Sequence, residues 1–112
     1  MNHHRSYILT HDYLLHQAFQ AFKSTKKDSP DALDKLVSKA FAGDPKHHRP
    51  AFDKNYFNIN YSNPLVIENN TLVNMAVRHG KLKVVRKLVE KYDPDLTIGD
   101  IGGFTPLINA AY

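Results

Sequence analysis

Two stretches of this chain carry one pattern, Thr71-Leu72-Val73-Asn74-Met75-Ala76 and Thr105-Pro106-Leu107-Ile108-Asn109-Ala110, offset by 34 positions from Thr71 to Thr105. No composition figure restricts the fold as tightly. A unit recurring at this interval buries its apolar face only by stacking on the next copy, which is how helical solenoids form. In each stretch a threonine stands where its hydroxyl can take a free backbone N–H at a helix start. Pro106 occupies the first turn, where its missing N–H costs nothing. Gly80 follows the first copy and Gly103 precedes the second, at points where a side chain makes the required backbone angle costly.

Helical spacing extends over the rest of the repeat. Thr71 to His79 reads as one helix and Leu82 to Lys91 as a second, with Val84, Val85, Leu88 and Val89 as its buried stripe. Upstream, Leu15, Ala18, Phe19 and Phe22 fall at i, i+3, i+4 and i+7, which predicts a helix from Asp12 to about Lys23 preceded by Thr10 or His11. Ser29-Pro30 opens another, carrying Leu33, Leu36, Val37, Ala40 and Phe41, with Gly43 at its end. These two helices are expected to pack antiparallel. Between residues 44 and 70, Pro45, Pro50 and Pro64 interrupt any helix, and the alternation from Tyr56 to Tyr61 permits a short strand or hairpin.

At 112 residues and 42% apolar content the chain supports one domain with a packed core. Its apolar runs are too short for a membrane span, and the first residues lack the apolar stretch of a secretory signal. The absence of cysteine excludes disulfides, thiolate metal sites and a cysteine nucleophile, and fits a reducing compartment. A net charge of +4 gives only mild attraction to anions.

Taken together, Asp100, Gly103, Thr105, Pro106, Leu107, Ala110 and Ala111, with Thr71, Ala76, Gly80, Val84, Val85 and Leu88 one period earlier, resemble ankyrin repeat proteins. The resemblance covers Thr71 to Tyr112, a little over a third of the chain. It implies an all-α fold: an ankyrin-type α-solenoid of stacked helical hairpins with short β-hairpin-like fingers, such as Leu96 to Gly103, and an N-terminal helical pair as cap. Residues 1–11 are then a flexible N-terminus, 12–43 a cap-like hairpin or degenerate repeat, 44–70 a long connection or finger, 71–99 a repeat and 100–112 a truncated repeat. The family's histidine after Thr-Pro-Leu, which bridges neighbouring units, is replaced by Asn74 and Ile108. Asparagine imitates part of that role and isoleucine does not. The glycine expected after the outer helix is replaced by Tyr92-Asp93, so that helix end must close differently.

The chain stops at Tyr112 inside an inner helix whose outer partner is absent. Stacked arrays need a polar terminal cap. The expectation is the N-terminal part of a longer array, or a shortened product whose Leu107, Ile108 and Ala111 are incompletely covered and support self-association.

By the same resemblance a protein partner lies along the concave surface of fingers and inner helices. Register selects Ile67, Glu68, Asn70, Arg78 and His79 in one unit and Ile101, Gly102 and Phe104 in the next. Phe104 leads, since exposed aromatics and arginines anchor interfaces; the plainer alternative packs it on the adjoining finger. Lys81, Lys83, Arg86, Lys87 and Lys91 form a basic outer-helix face without interleaved aromatics. The seven histidines show no metal-ligand spacing, and no nucleophile elbow or phosphate-cradling glycine run is present. Hence no catalytic, metal or cofactor site is expected. The reading is a protein–protein interaction scaffold, not an enzyme, in the cytoplasm or, for a secreted effector, a host cytoplasm. The alternatives are a targeting or substrate-recruiting segment of a larger enzyme or bacterial effector, and an electrostatic binder of nucleic acid or anionic membrane.

Overall fold

The computed structural model describes residues 3–41, 57–63, 71–100 and 102–111, with side-chain surroundings for 8–41, 57–63, 71–100 and 102–108. Within them lie helices α1 (His3–Ser24), α2 (Pro30–Phe41), α3 (Leu72–Arg78), α4 (Leu82–Tyr92) and α5 (Pro106–Ala111), and no strand. The protein is all-helical over this span.

Local chemistry sets the helix ends. Ser29 Oγ accepts the Ala32 N–H at 3.2 Å with Pro30 in the first turn of α2. Thr71 Oγ1 accepts the Asn74 N–H at 3.2 Å, and Thr105 Oγ1 accepts the Ile108 N–H at 3.3 Å. The two threonines of the sequence pattern therefore perform the same capping act on α3 and α5. At the other end of α3 the Lys81 N–H donates to Ala76 O at 2.8 Å and the Gly80 N–H to Val77 O at 3.0 Å, a Schellman closure that needs Gly80 at φ +70°. α4 closes through Asp93 itself in the left-handed region, φ 46° and ψ 61°, its N–H on Val89 O. The missing glycine is thus replaced by a residue that adopts the left-handed angles at a cost glycine would not carry. Expected results by chemical denaturation are a loss of roughly 1–2 kcal/mol for Gly80→Ala and a gain of about 0.5–1 kcal/mol for Asp93→Gly. A gain for the first or a loss for the second contradicts this account.

Three residues join α3 to α4. That is too short to carry the chain back along a helix of about 16 Å, so the pair runs antiparallel. Backbones approach within 8 Å between α1 and α2, α1 and α3, α2 and α4, α3 and α4, and α3 and α5, and between no other pair of these helices. First helix sits beside first helix, second beside second. Between them lies one core of Leu14, Leu15, Ala18, Phe22, Leu33, Val37, Phe41, Leu72, Met75, Ala76, Val84 and Leu88. Ala18 and Ala76 are 0% exposed, at helix contacts where the absence of a larger side chain lets backbones come close.

The structure corrects several expectations. The N-terminal helix begins at His3 rather than near Asp12, so residues 3–11 are helical and not a flexible lead. Thr10 and His11 are buried and continue the stripe of Leu14, Leu15, Ala18 and Phe22. Val89 is 37% exposed, leaving Val84 and Leu88 as the fully buried residues of α4 and Val85 partly so. Phe57 to Tyr61 forms a turn and not a strand: the Tyr61 N–H reaches Asn58 O at 3.1 Å and the Asn60 N–H reaches Asn58 Oδ1 at 2.9 Å. The rest of the 44–70 connection and Gly43 lie outside the described residues. So do the side chains of Ala110 and Ala111, which belong to α5.

Candidate interaction surface

The segment after α4 is built from side chains that replace missing backbone partners. Asp95 Oδ1 accepts the Thr97 N–H at 2.9 Å and its hydroxyl at 2.6 Å, while the Asp95 N–H donates to Asn60 Oδ1 at 2.8 Å. Asp100 Oδ1 accepts the N–H groups of Gly102 and Phe104 at 2.9 and 3.0 Å. Its own N–H donates to Phe104 O, and the Gly103 N–H donates to Asp100 O across a turn that places Gly103 at φ +81°. The expected finger is therefore a loop closed by two aspartates, without a strand ladder among the described residues.

The Thr97 hydroxyl, and after it the Thr97 N–H, hold the Asp95 carboxyl below its ordinary 3.8. A depressed carboxyl favours the folded turn above its unfolded value, and that contribution is lost as the pH falls through the lower folded one. Thr97→Val, which removes the first-ranked hydrogen bond, is expected to move the Asp95 titration back up in a carbon-detected NMR experiment. An unmoved midpoint contradicts this assignment.

Of the residues selected by register, Ile67, Glu68, Asn70 and Ile101 lie outside the described residues. Arg78 is exposed in the last turn of α3. His79 is the C-cap of that helix and half-buried. Its Nδ1 lies 2.8 Å from Met75 O, which can only accept, so Nδ1 carries the proton. The ring stands edge-on to Phe19 at 5.7 Å and tilted to Phe22 at 6.1 Å. Much of His79 therefore joins the first hairpin to the second. Phe104 is 44% exposed, and its ring covers Gly102, where an added Cβ would lie 3.1 Å from two ring carbons. Phe104 thus packs on its own loop and leaves part of its ring exposed. Leu107 at 78% and Ile108 at 40% exposure lie just beyond it on α5, and Leu96 at 43% lies on the preceding loop.

Several residues that matter here escape local patterns. His11 is 1% exposed and its Nε2 accepts the Asn58 N–H at 2.9 Å, between the rings of Phe41, Phe57 and Tyr61. Asp12 accepts the Tyr61 hydroxyl at 2.6 Å and the Asn63 amide at 3.0 and 3.2 Å. Together with Asn60 on Asp95, these bonds tie residues 57–63 to α1 and to the loop after α4. Asn74 is 0% exposed, and its amide donates to Ile98 O at 3.3 Å, a side-chain bridge from α3 into the following loop.

α4 lacks a cap of its own, since Lys81 makes no side-chain capping bond. Asp28, in the α1–α2 connection, supplies it, accepting the Lys83 N–H at 2.7 Å and the Val84 N–H at 3.1 Å. The basic outer face is smaller than the sequence implies. Lys81 is 4% exposed, and Lys91 lies 3.6 Å from Asp34 and over the Tyr92 ring at 5.4 Å. Lys83, Arg86 and Lys87 remain exposed. Among the described residues no three histidine, aspartate or glutamate side chains converge as metal ligands, and no helix is long and apolar enough to cross a membrane. No family model, curated protein or solved structure matches the chain.

Proposed function

We propose that the protein is an ankyrin-type scaffold that recognises a protein partner through the face carrying Arg78, Gly102 and Phe104, without chemistry of its own. The observation that carries this reading is the ladder of helix contacts, in which α3 meets α1 on one side and α5 on the other. The matching threonine caps of α3 and α5 and the Asn74 bridge to Ile98 give further support. Such a ladder yields an extended surface instead of a closed cleft, and extended repeat surfaces are used for recognition. On it, Phe104 supplies a rigid apolar anchor and Arg78 a cation, the residue kinds that dominate interface energies. The cysteine-free sequence allows a reducing cytoplasm as the place of action.

The test is a pull-down with wild type and with Phe104→Ala plus Arg78→Ala, followed by affinity measurement on the protein recovered. Truncating two anchors is expected to weaken binding at least tenfold, about 1.4 kcal/mol. Equal affinity for wild type and variant contradicts the proposed face.

A further inference from the structure

The connections α1–α2 and α3–α4 meet and border an open pocket of about 430 Å³. Lys23, Lys26, Lys81, His79, Thr25 and Gly80 are in its lining, which contains no carboxylate. Lys81 is the unusual member. It is 4% exposed, and its Nζ donates to Thr25 O at 2.5 Å. An ammonium has three N–H donors, so two find no protein acceptor among the described residues, and no carboxylate there neutralises the charge. Burial of a cation beside one neutral acceptor is costly, and two further lysines on the same rim add repulsion. A bound anion relieves both.

Across residues 23–29 and 78–87 the only acidic side chain is Asp28, and it is engaged by the backbone at the start of α4. The charged side chains lining the pocket are all lysines. The cations are lysines, compact point charges that suit a phosphate, whereas a planar carboxylate is best met by the arginine fork that this lining lacks. The central ammonium is recessed, which favours a soluble group that can enter over a flat lipid surface.

From this we infer that the pocket between the two helical connections is a binding site for the phosphate group of a small soluble phosphomonoester, held by Lys23, Lys26 and Lys81. The site is independent of the partner that the Phe104 face takes.

Titration of the isotopically labelled chain with inorganic phosphate at about 0.15 M salt, where exposed charges more than about 8 Å apart are screened, tests this. Saturable amide shifts are expected at Lys26, Gly80 and Lys81, with binding weakened roughly tenfold in Lys23→Gln plus Lys26→Gln, both exposed residues whose loss leaves the core intact. Lys81→Met is expected to abolish the shifts at Lys26 and Gly80; should that variant unfold, the exposed pair alone decides. No saturable shift at Gly80 and Lys81, or unchanged binding in the double glutamine variant, overturns the site. So does association with phosphatidylserine vesicles in a chain that does not respond to phosphate.

Discussion

Leu88→Ala is expected to lower the stability of the protein by roughly 2–5 kcal/mol, measured by equilibrium urea unfolding. Leu88 is 1% exposed on α4, a helix that touches both α2 and α3. Its removal leaves a void at the junction of the two hairpins, and the cavity adds to the lost transfer energy because close-packed surroundings relax only in part. Against a typical total of about 5–15 kcal/mol, the effect consumes much of what holds the chain folded. Leu107→Ala is the natural control: the residue is 78% exposed, and a change within about 0.5 kcal/mol is expected. Equal effects at the two positions would mean that α4 is not seated between its neighbours as described.

A second large effect is expected at Asp28. Its carboxylate accepts two N–H groups at the start of α4, where the helix dipole also favours negative charge. Asp28→Ala removes both hydrogen bonds and that charge, for an expected loss of about 1–2 kcal/mol. Asp28→Asn keeps an acceptor and is expected to lose less. The residue lies 55 positions from Lys83, so it serves as a clamp between hairpins and not as a local cap. Protection of the Lys83 and Val84 amides from hydrogen exchange should fall in Asp28→Ala before the rest of α4 is affected. Wild-type stability in Asp28→Ala would remove the clamp from the account.

Local rules act over a turn of helix, and the features legible from sequence are those such rules reach. Thr71, Gly80, Thr105 and Pro106 mark the bounds of α3 and α5 because capping and left-handed closure depend on residues within four or five positions. The stripe of Leu33, Val37, Ala40 and Phe41 shows the buried face of α2 for the same reason. His11 belongs to an equally regular stripe with Leu14, Leu15, Ala18 and Phe22, yet a histidine counts as polar until a donor satisfies its free nitrogen. That donor, the Asn58 N–H, is 47 residues away. The start of α1 is missed on that account. Lys81 on Thr25, Asp12 on Tyr61 and Asp28 on Val84 are separated by 56, 49 and 56 residues, so their pairing follows from the stacked fold and leaves no spacing to read. At the candidate surface, Phe104 and Arg78 are recognisable by residue type, whereas the packing of His79 on Phe19 and Phe22 appears only when the first hairpin meets the second.

The central claim is that helices of corresponding rank lie side by side, with α3 flanked by α1 and α5. Nuclear Overhauser contacts in the labelled chain address it directly. The account predicts cross-peaks from α3 to α1 on one side and to α5 on the other, together with a cross-peak between the Asn74 side-chain amide and the Ile98 region. Cross-peaks showing α3 packed against α2 in place of α1, or α5 resting on α4 in place of α3, would contradict it.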